Sequence, residues 1–396
     1  MNTNRLEINL NNLNHNVHAL KNLLAPKTLL SPVVKSNAYG HSLEIVPLLQ
    51  RAGVDRFCVT SLSEALQIRK MGINCPILIL GPVNLTDFEL CSMYDIEVTL
   101  YSIDQLEEIQ NLESRFQNTL KFHLKIDTGM TRLGILPAEL DYFLNSLNNC
   151  KRVALTGVYT HFATADDISS NFIYKQFEEF KKVMQKIKTR TEIDSSRLVF
   201  HCSNSAACLT DQQYHLDMVR LGIAIYGIYP SDSIKQKCQQ KGIELKPVLS
   251  FKTWLSSLKK VEAGTGIGYG QTFTTTRPSL IGVVPVGYAD GVNRNLSNKG
   301  YFLIQGQTVP IVGNICMNMI MLDLTDLTKK PKIGDEVVVF GQQDNSEINV
   351  TQIANLSETI PYCVLTGLPS TLPRIVAKIS SPNEMVSKKT QTLLAY

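Results

Sequence analysis

From Thr28 to about Gly227 the chain alternates short apolar runs with longer segments whose apolar residues recur at helical spacing. The runs are "TLLSPVVK", "RFCVTS", "PILILG", "IEVTLYS", "LKFHLKID", "VALTGVYTH", "RLVFHCSNS" and "MVRLGIAIYG". Between them lie amphipathic stretches such as "LSEALQIRKMG", "DQLEEIQNLE" and "FIYKQFEEFKKVMQKIKT". Near-continuous apolar strands separated by amphipathic helices predict an α/β protein with a parallel sheet covered by helices. Eight such strands over roughly 200 residues match a (β/α)8 barrel of the TIM type, with an open doubly wound sheet as the competing architecture. After "SDSIKQKCQQKGIELKP" the texture changes to short alternating or apolar runs, such as "SLIGVVPVGYADG" and "DEVVVFG", cut by Gly, Pro and Asn. That pattern predicts a C-terminal, mostly-β domain. The chain is accordingly divided into residues 1–242, the barrel, and 243–396, the β domain. The strand-like opening "RLEINL" is a candidate to pair with the β domain, and the polar tail from Ser380 is expected to be loosely held.

Composition changes this picture little, but it excludes several classes of function. A length of 396 residues suits one large domain and a smaller one, and a net charge of +4 without a clustered Lys/Arg face gives no nucleic-acid footprint. The N-terminus "MNTNRLEINLNNLNHNV" lacks the charged start, apolar centre and cleavage site of a signal peptide. No apolar run approaches the ~20 residues that a membrane-spanning helix needs. Nine cysteines, scattered without a CxxC pair, suggest neither a disulfide framework nor a metal site. Cys58, Cys75 and Cys150 are expected to be small, reduced core residues. Together these features fit a cytoplasmic protein.

In a (β/α)8 barrel the working groups sit at the carboxyl ends of the strands. Those positions are Lys35, Arg132 just beyond "KID", His161, Asn204 with Ser205, and Arg220 with Gly222. Each has a bland alternative. Lys35 can snorkel to solvent, His161 can be a hydrogen-bonded core histidine, and Gly222 can serve packing alone. Their fall at the same ends of successive strands favours one shared site, and its cations call for an anionic ligand. Backbone N–H groups at Gly222 would suit a phosphate. "GTGIGYGQTF" is rich enough in glycine to suggest a nucleotide loop, but no helix pattern follows it, so it reads instead as an irregular loop presenting Tyr269.

The ordered blocks "VVKSNAYGH", "KIDTGMTRLG", "THFATAD", "SNSAA", "RLGIAIYG", "GIGYGQTF", "VGYADG", "GNICMNM" and "LPSTLPR" make the chain, from about Arg5 to Arg374, similar to the alanine racemase family. This is the two-domain, fold-type III family that depends on pyridoxal 5'-phosphate. The resemblance implies that Lys35 forms a Schiff base with the cofactor. It implies that Tyr39, Ser205, Gly222 and Ile223 hold the phosphate, that Arg220 faces the pyridine nitrogen, and that His161 bonds to Arg220 or to the catalytic tyrosine; Asn204 joins this cofactor-binding set from its strand-end position. Lys125 matches a lysine often carbamylated to orient Arg132, and Arg132 and the backbone at Met317 match groups that bind the substrate carboxylate. Racemisation needs a base on each face of a planar intermediate. Lys35 supplies one, and Tyr269 from the partner subunit matches the other, so a homodimer with shared active sites follows. The family role is to supply D-alanine for peptidoglycan.

Two positions depart from the family pattern. Asn318 stands where an aspartate usually follows the Cys-Met pair, and Ser370 stands where a tyrosine usually narrows the substrate entrance. The second departure leads to the expectation that alanine remains the main substrate while serine is admitted better than usual. The rival readings are a serine or broader-specificity racemase, a decarboxylase of the same fold, and a non-catalytic carrier of the cofactor. A tyrosine opposite Lys35, rather than a cysteine, argues against the decarboxylase. The β domain with its "GIGYGQTF" loop argues against the carrier, which would be a lone barrel.

Overall fold

Eight short strands, Leu29–Pro32, Phe57–Val59, Ile77–Ile79, Val98–Leu100, Leu120–Lys125, Val153–Tyr159, Val199–His201 and Met218–Leu221, run parallel with helical chain between them. The computed structural model describes residues 3–377, so the tail from Ser380 lies outside the described residues. The first strand pairs with the last, from Leu29↔Met218 to Pro32↔Leu221, and this closes the sheet into a barrel. Bridges Val33↔Cys58 and Leu78↔Glu97 join the short strands. Hydrogen bonds from Asp217 N to Phe200 O and from Arg220 N to Ser203 O join the last two. Closure decides between the two architectures expected from the sequence in favour of the barrel.

The strands read as unbroken apolar runs because helices cover one face and the barrel interior covers the other. Phe57–Val59, Ile77–Ile79 and Val98–Leu100 are buried throughout. The longest helix, Phe172–Lys188, turns Ile173, Phe177, Phe180, Val183 and Ile187 inward at spacings of three and four, and its lysines and glutamates outward. Each phenylalanine so buried contributes about 2–3 kcal/mol. Cys58 is buried and Cys75 and Cys150 are half-buried; all are free thiols.

The strand Arg5–Ile8 belongs to the second sheet. It pairs antiparallel with Leu249–Trp254 and parallel with Arg374–Val376, so both ends of the described chain are tied into one structure. That sheet continues through Glu336–Gln343, Tyr301–Ile304 and Gln307–Pro310. A third sheet, of three strands, Ser257–Val261, Ser279–Val284 and Ile320–Asp323, lies in the same C-terminal part of the chain. Between them a small hairpin pairs Gly266–Ile267 with Phe273–Thr274 and carries Tyr269 at its tip.

Candidate active site

Lys35 follows the first barrel strand and opens an uncommon piece of backbone. Ser36, Asn37, Ala38 and Tyr39 all have φ of 53–54°, and Gly40 follows at 78°, making one left-handed helical turn. For residues with a Cβ this conformation costs about 1–2 kcal/mol each, so neighbouring groups must hold it. The Glu64 carboxylate accepts from the N–H of Ser36 at 2.6 Å, and Asn37 Oδ1 accepts from Leu43 N at 2.9 Å. The His41 Nδ1–H donates to the carbonyls of Ala38 and Tyr39 while its ring stacks on Tyr226. Arg374, from the β domain, donates through Nε and Nη2 to the Gly40 carbonyl. Gly40 has no substitute, because a Cβ there would lie 2.2 Å from the Leu365 carbonyl oxygen.

The turn brings Lys35 and Tyr39 into a cavity of about 720 Å³ at the carboxyl ends of the strands. Lys125, Arg132, His161, Asn204, Ser205, Arg220, Gly222 and Ile223 line the same cavity. Ten expected site residues therefore meet in one place. The Ser205 hydroxyl accepts from the N–H groups of Gly222 (3.0 Å) and Ala224 (3.3 Å), so its own hydrogen is left to give. The N–H of Ile223 donates to no group among the described residues. A Cβ on residue 222 would fall 2.4 Å from the Tyr39 hydroxyl, and only glycine lets the phenol lie against the backbone. Asn204 caps the helix Ser205–Thr210, its Oδ1 accepting from Ala207 N, so its carboxamide is partly committed to structure.

Among the described residues, Arg220 has no carboxylate partner; it is buried beneath the cavity. It donates to the Thr160 carbonyl at 2.9 Å, approaches His161 Nδ1 at 3.3 Å, and meets His201 Nδ1 at 2.5 Å. Its guanidinium lies over the Tyr159 ring, 5.0 Å from the centroid, and Tyr159 stacks on His201. Burial and the surrounding cations hold His161 well below the usual imidazole range, so it is neutral. Burial, and then Arg132, lower the Lys35 amine, with Glu64 opposing. Lys125, buried beside Arg132 and Arg220, is lowered by desolvation first and by those charges next, to about 8.

Two expected site residues do not join this cavity within the chain. Tyr269 is 76% exposed on its hairpin and Met317 is 55% exposed on the β domain. Asn314 Nδ2 donates to the Tyr269 carbonyl, and Ala289 N to that of Met317, so both are carried on fixed backbone. Ser370 is exposed and lies off the cavity wall, whereas Tyr362 lines the cavity beside Tyr39, ring centroids 6.1 Å apart. Sequence reasoning missed Tyr362, and it also missed His201, hidden inside the apolar run "RLVFHCSNS". A histidine one residue before a strand-end Cys-Ser-Asn-Ser was the available signal.

Fold and site together define a two-domain barrel enzyme whose mouth holds a lysine and an anion cradle. Profiles of the alanine racemase N-terminal and C-terminal domains match residues 8–230 and 248–376. An alanine racemase of Halothermothrix orenii is 38% identical over 370 residues, 93% of this chain and 95% of that protein. The crystal structure of alanine racemase from Bacillus anthracis with bound L-Ala-P superposes with a TM-score of 0.87 at 34% identity, over 96% of each chain. That of Bartonella henselae alanine racemase with covalently bound pyridoxal phosphate gives 0.83 at 30% identity, over 95% of this chain and 100% of that one. The chain belongs to the alanine racemase family, whose members are pyridoxal-phosphate-dependent isomerases.

Proposed function

We propose that the chain interconverts L- and D-alanine by a two-base mechanism in the barrel mouth, and that the D-alanine serves peptidoglycan. Supporting this most directly, the Lys35 amine, the Arg220 guanidinium, the Ser205 hydroxyl and the open Ile223 N–H line one cavity in a chain of this family. The donor set fits pyridoxal 5'-phosphate. Tyr39, Ser205, Gly222 and Ile223 would hold its phosphate, Lys35 its carbonyl carbon and Arg220 its ring nitrogen, with His161 and Asn204 behind them. When bound, that group supplies an electron sink that acidifies the Cα–H of an attached amino acid.

The remaining work falls to the chain's own residues. The lowered pKa of Lys35 makes its amine available as a base on one side of the substrate. Arg220 only donates, so it favours an unprotonated nitrogen opposite it and limits how long negative charge persists at Cα. Arg132 and the backbone at the partner subunit's Met317 hold the substrate carboxylate. The phenol oxygen of Tyr269 of the partner subunit moves the proton on the opposite side. Within one chain this tyrosine is exposed on the β domain and does not line its own cavity, which supports a homodimer with shared sites. Arg132 and Arg220 together make a field that stabilises an anionic oxygen brought there. Lys125 carries a carbamate that orients Arg132. We divide the chain at 242/243 into the lysine-bearing barrel and the tyrosine-bearing β domain, and place the enzyme in the cytoplasm. Among the described residues no helix is long and apolar enough to cross a membrane.

Ser370 lies off the cavity wall, where Tyr362 stands beside Tyr39, so the widened entrance expected from the sequence is absent and serine is kept only as the alternative substrate. The test is to incubate purified protein with L-alanine and with L-serine, with and without pyridoxal phosphate, and to follow optical rotation. Cofactor-dependent decay of rotation to zero, faster with alanine, is expected, and Ser370→Tyr should leave the ratio of the two rates unchanged. Carbon dioxide release without racemisation would replace this reading with the decarboxylase.

A further inference from the structure

A line of polar side chains runs through the barrel interior from the mouth to the amino-terminal ends of the strands. His201 Nε2 lies 2.7 Å from His123 Nδ1, and His123 Nε2 lies 3.3 Å from Glu97 Oε2. Glu97 also pairs with Arg56. All of these groups are buried. The barrel makes room for them deliberately: a Cβ on Gly157 would fall 2.4 Å from His123 Nδ1, and the pairing of strand Leu120–Lys125 with its neighbour slips at Phe122/His123. Tyr159 holds the His201 ring flat against its own, with an interplanar angle of 6°.

Donor chemistry fixes the protons along this line. Arg220 can only donate, so His201 Nδ1 must be a bare acceptor. A neutral His201 then carries its proton on Nε2, which faces His123 Nδ1; that nitrogen must be bare in turn. His123 is left with its proton on Nε2, which lies 3.3 Å from Glu97 Oε2 and 3.4 Å from Arg56 Nη2. The hydrogen bonds from Arg220 to His201 and from His201 to His123 therefore point the same way, inward from the mouth. Reversing either ring would set two protons or two lone pairs against each other. Burial and the flanking Arg56 and Arg220 keep both rings neutral, as the direction of their pKa shifts also indicates.

We propose that Glu97, Arg56 and His123 are positioning residues that act from the far end of the barrel, fixing His201 as an acceptor and so aiming Arg220 at the cofactor ring. The alignment of Arg220 rests on the reading of the cavity as a pyridoxal-phosphate site; the proton pattern does not. The direction is set at Arg220, which only donates, and the Arg56–Glu97 pair holds the His123 ring at the far end. Arg220 then keeps a fixed plane without a carboxylate beside it, which would compete for its charge.

The proton pattern is read in the apoenzyme by long-range 1H–15N NMR of histidine-labelled protein at neutral pH. The chain has seven histidines, so signals can be assigned by single substitutions. Both His123 and His201 are expected as the Nε2–H tautomer; an Nδ1–H or doubly protonated form of either overturns the proposal, whether or not the protein binds the cofactor. His123→Leu is expected to leave His201 Nε2–H without a partner, and an unpaired buried donor predicts about tenfold weaker cofactor affinity and a comparable fall in kcat. The visible absorption band of the bound cofactor should shift as well. His123→Asn, whose carboxamide oxygen can replace Nδ1 as acceptor, should recover most of the loss. Unaltered affinity, band and kcat in His123→Leu would refute the role, and equal losses in the Leu and Asn variants would mark His123 as packing only. If the unsubstituted protein binds no pyridoxal phosphate, the proposed function falls while the tautomer result stands.

Discussion

Lys125 is an amine without a carboxylate partner among the described residues, set 5.6 Å over the Tyr159 ring between Arg132 and Arg220. With its pKa lowered to about 8, an appreciable fraction is the free base near neutral pH, and only the free base adds carbon dioxide. A carbamate there would exchange a like charge for an opposite one beside Arg132. Protein equilibrated with 13C-bicarbonate should show one protected carbamate carbon by NMR, absent in Lys125→Met; no such signal would remove the carbamate from the account. The buried imidazoles give a second expectation at this scale. His123, His161 and His201 sit well below the ordinary value, and burial takes His41 down to about 4. Below pH 6.5 the unfolded chain binds protons that the fold refuses, so each contributes up to about 1.4 kcal/mol of lost stability per pH unit as pH falls. Urea midpoints should drop steeply between pH 6.5 and pH 5 and be nearly flat from 6.5 to 7.5; a flat profile down to pH 5 would mean that these rings take up protons in the fold.

At the scale of elements, the left-handed turn after the first strand ties the lysine to the other domain. Arg374 donates to the carbonyls of Gly40, Leu368, Pro369 and Leu372, a buried fan that a lysine cannot reproduce. Arg374→Lys should lower the unfolding free energy by about 2–3 kcal/mol and loosen Lys35; Gly40→Ala, which meets both a left-handed φ and the Leu365 carbonyl, should do more. Equilibrium unfolding of the apoenzyme measures both, and a cost under about 0.5 kcal/mol for either would show that the turn stands unaided. The sequence disclosed Lys35 itself, because an apolar run ending in a lone amine is visible. It did not disclose the turn: nothing in "SNAY" favours four successive left-handed residues except Asn37, and the groups that enforce them come from Glu64 and Arg374, far along the chain. The barrel strands were legible from their continuous apolar character, and the same character hid His123 and His201. Polar residues at barrel-interior positions interrupt such runs only once each, and a single histidine in an apolar strand reads as core.

Within a single chain the proposed second base stands apart from the cavity. One domain gathers the cations and the cradle, whereas the other carries Tyr269, Tyr288, Met317 and Met319 exposed on its loops. Apolar side chains so presented suit a second copy of the chain, and a two-fold arrangement would seat each hairpin over the partner's mouth. Neither the strand pattern nor the charge balance bears on this proposed arrangement, because such a contact would not be made within the chain's own fold. Lys35→Ala and Tyr269→Phe should each abolish racemisation, one by removing the anchor and the other by removing the second base. Refolded together, the two inactive variants should regain about a quarter of normal activity, since half of a random mixture is hybrid and each hybrid has one complete site. Recovery near that level is what shared sites require; a mixture as inactive as its parents, with hybrids demonstrably formed, would contradict them.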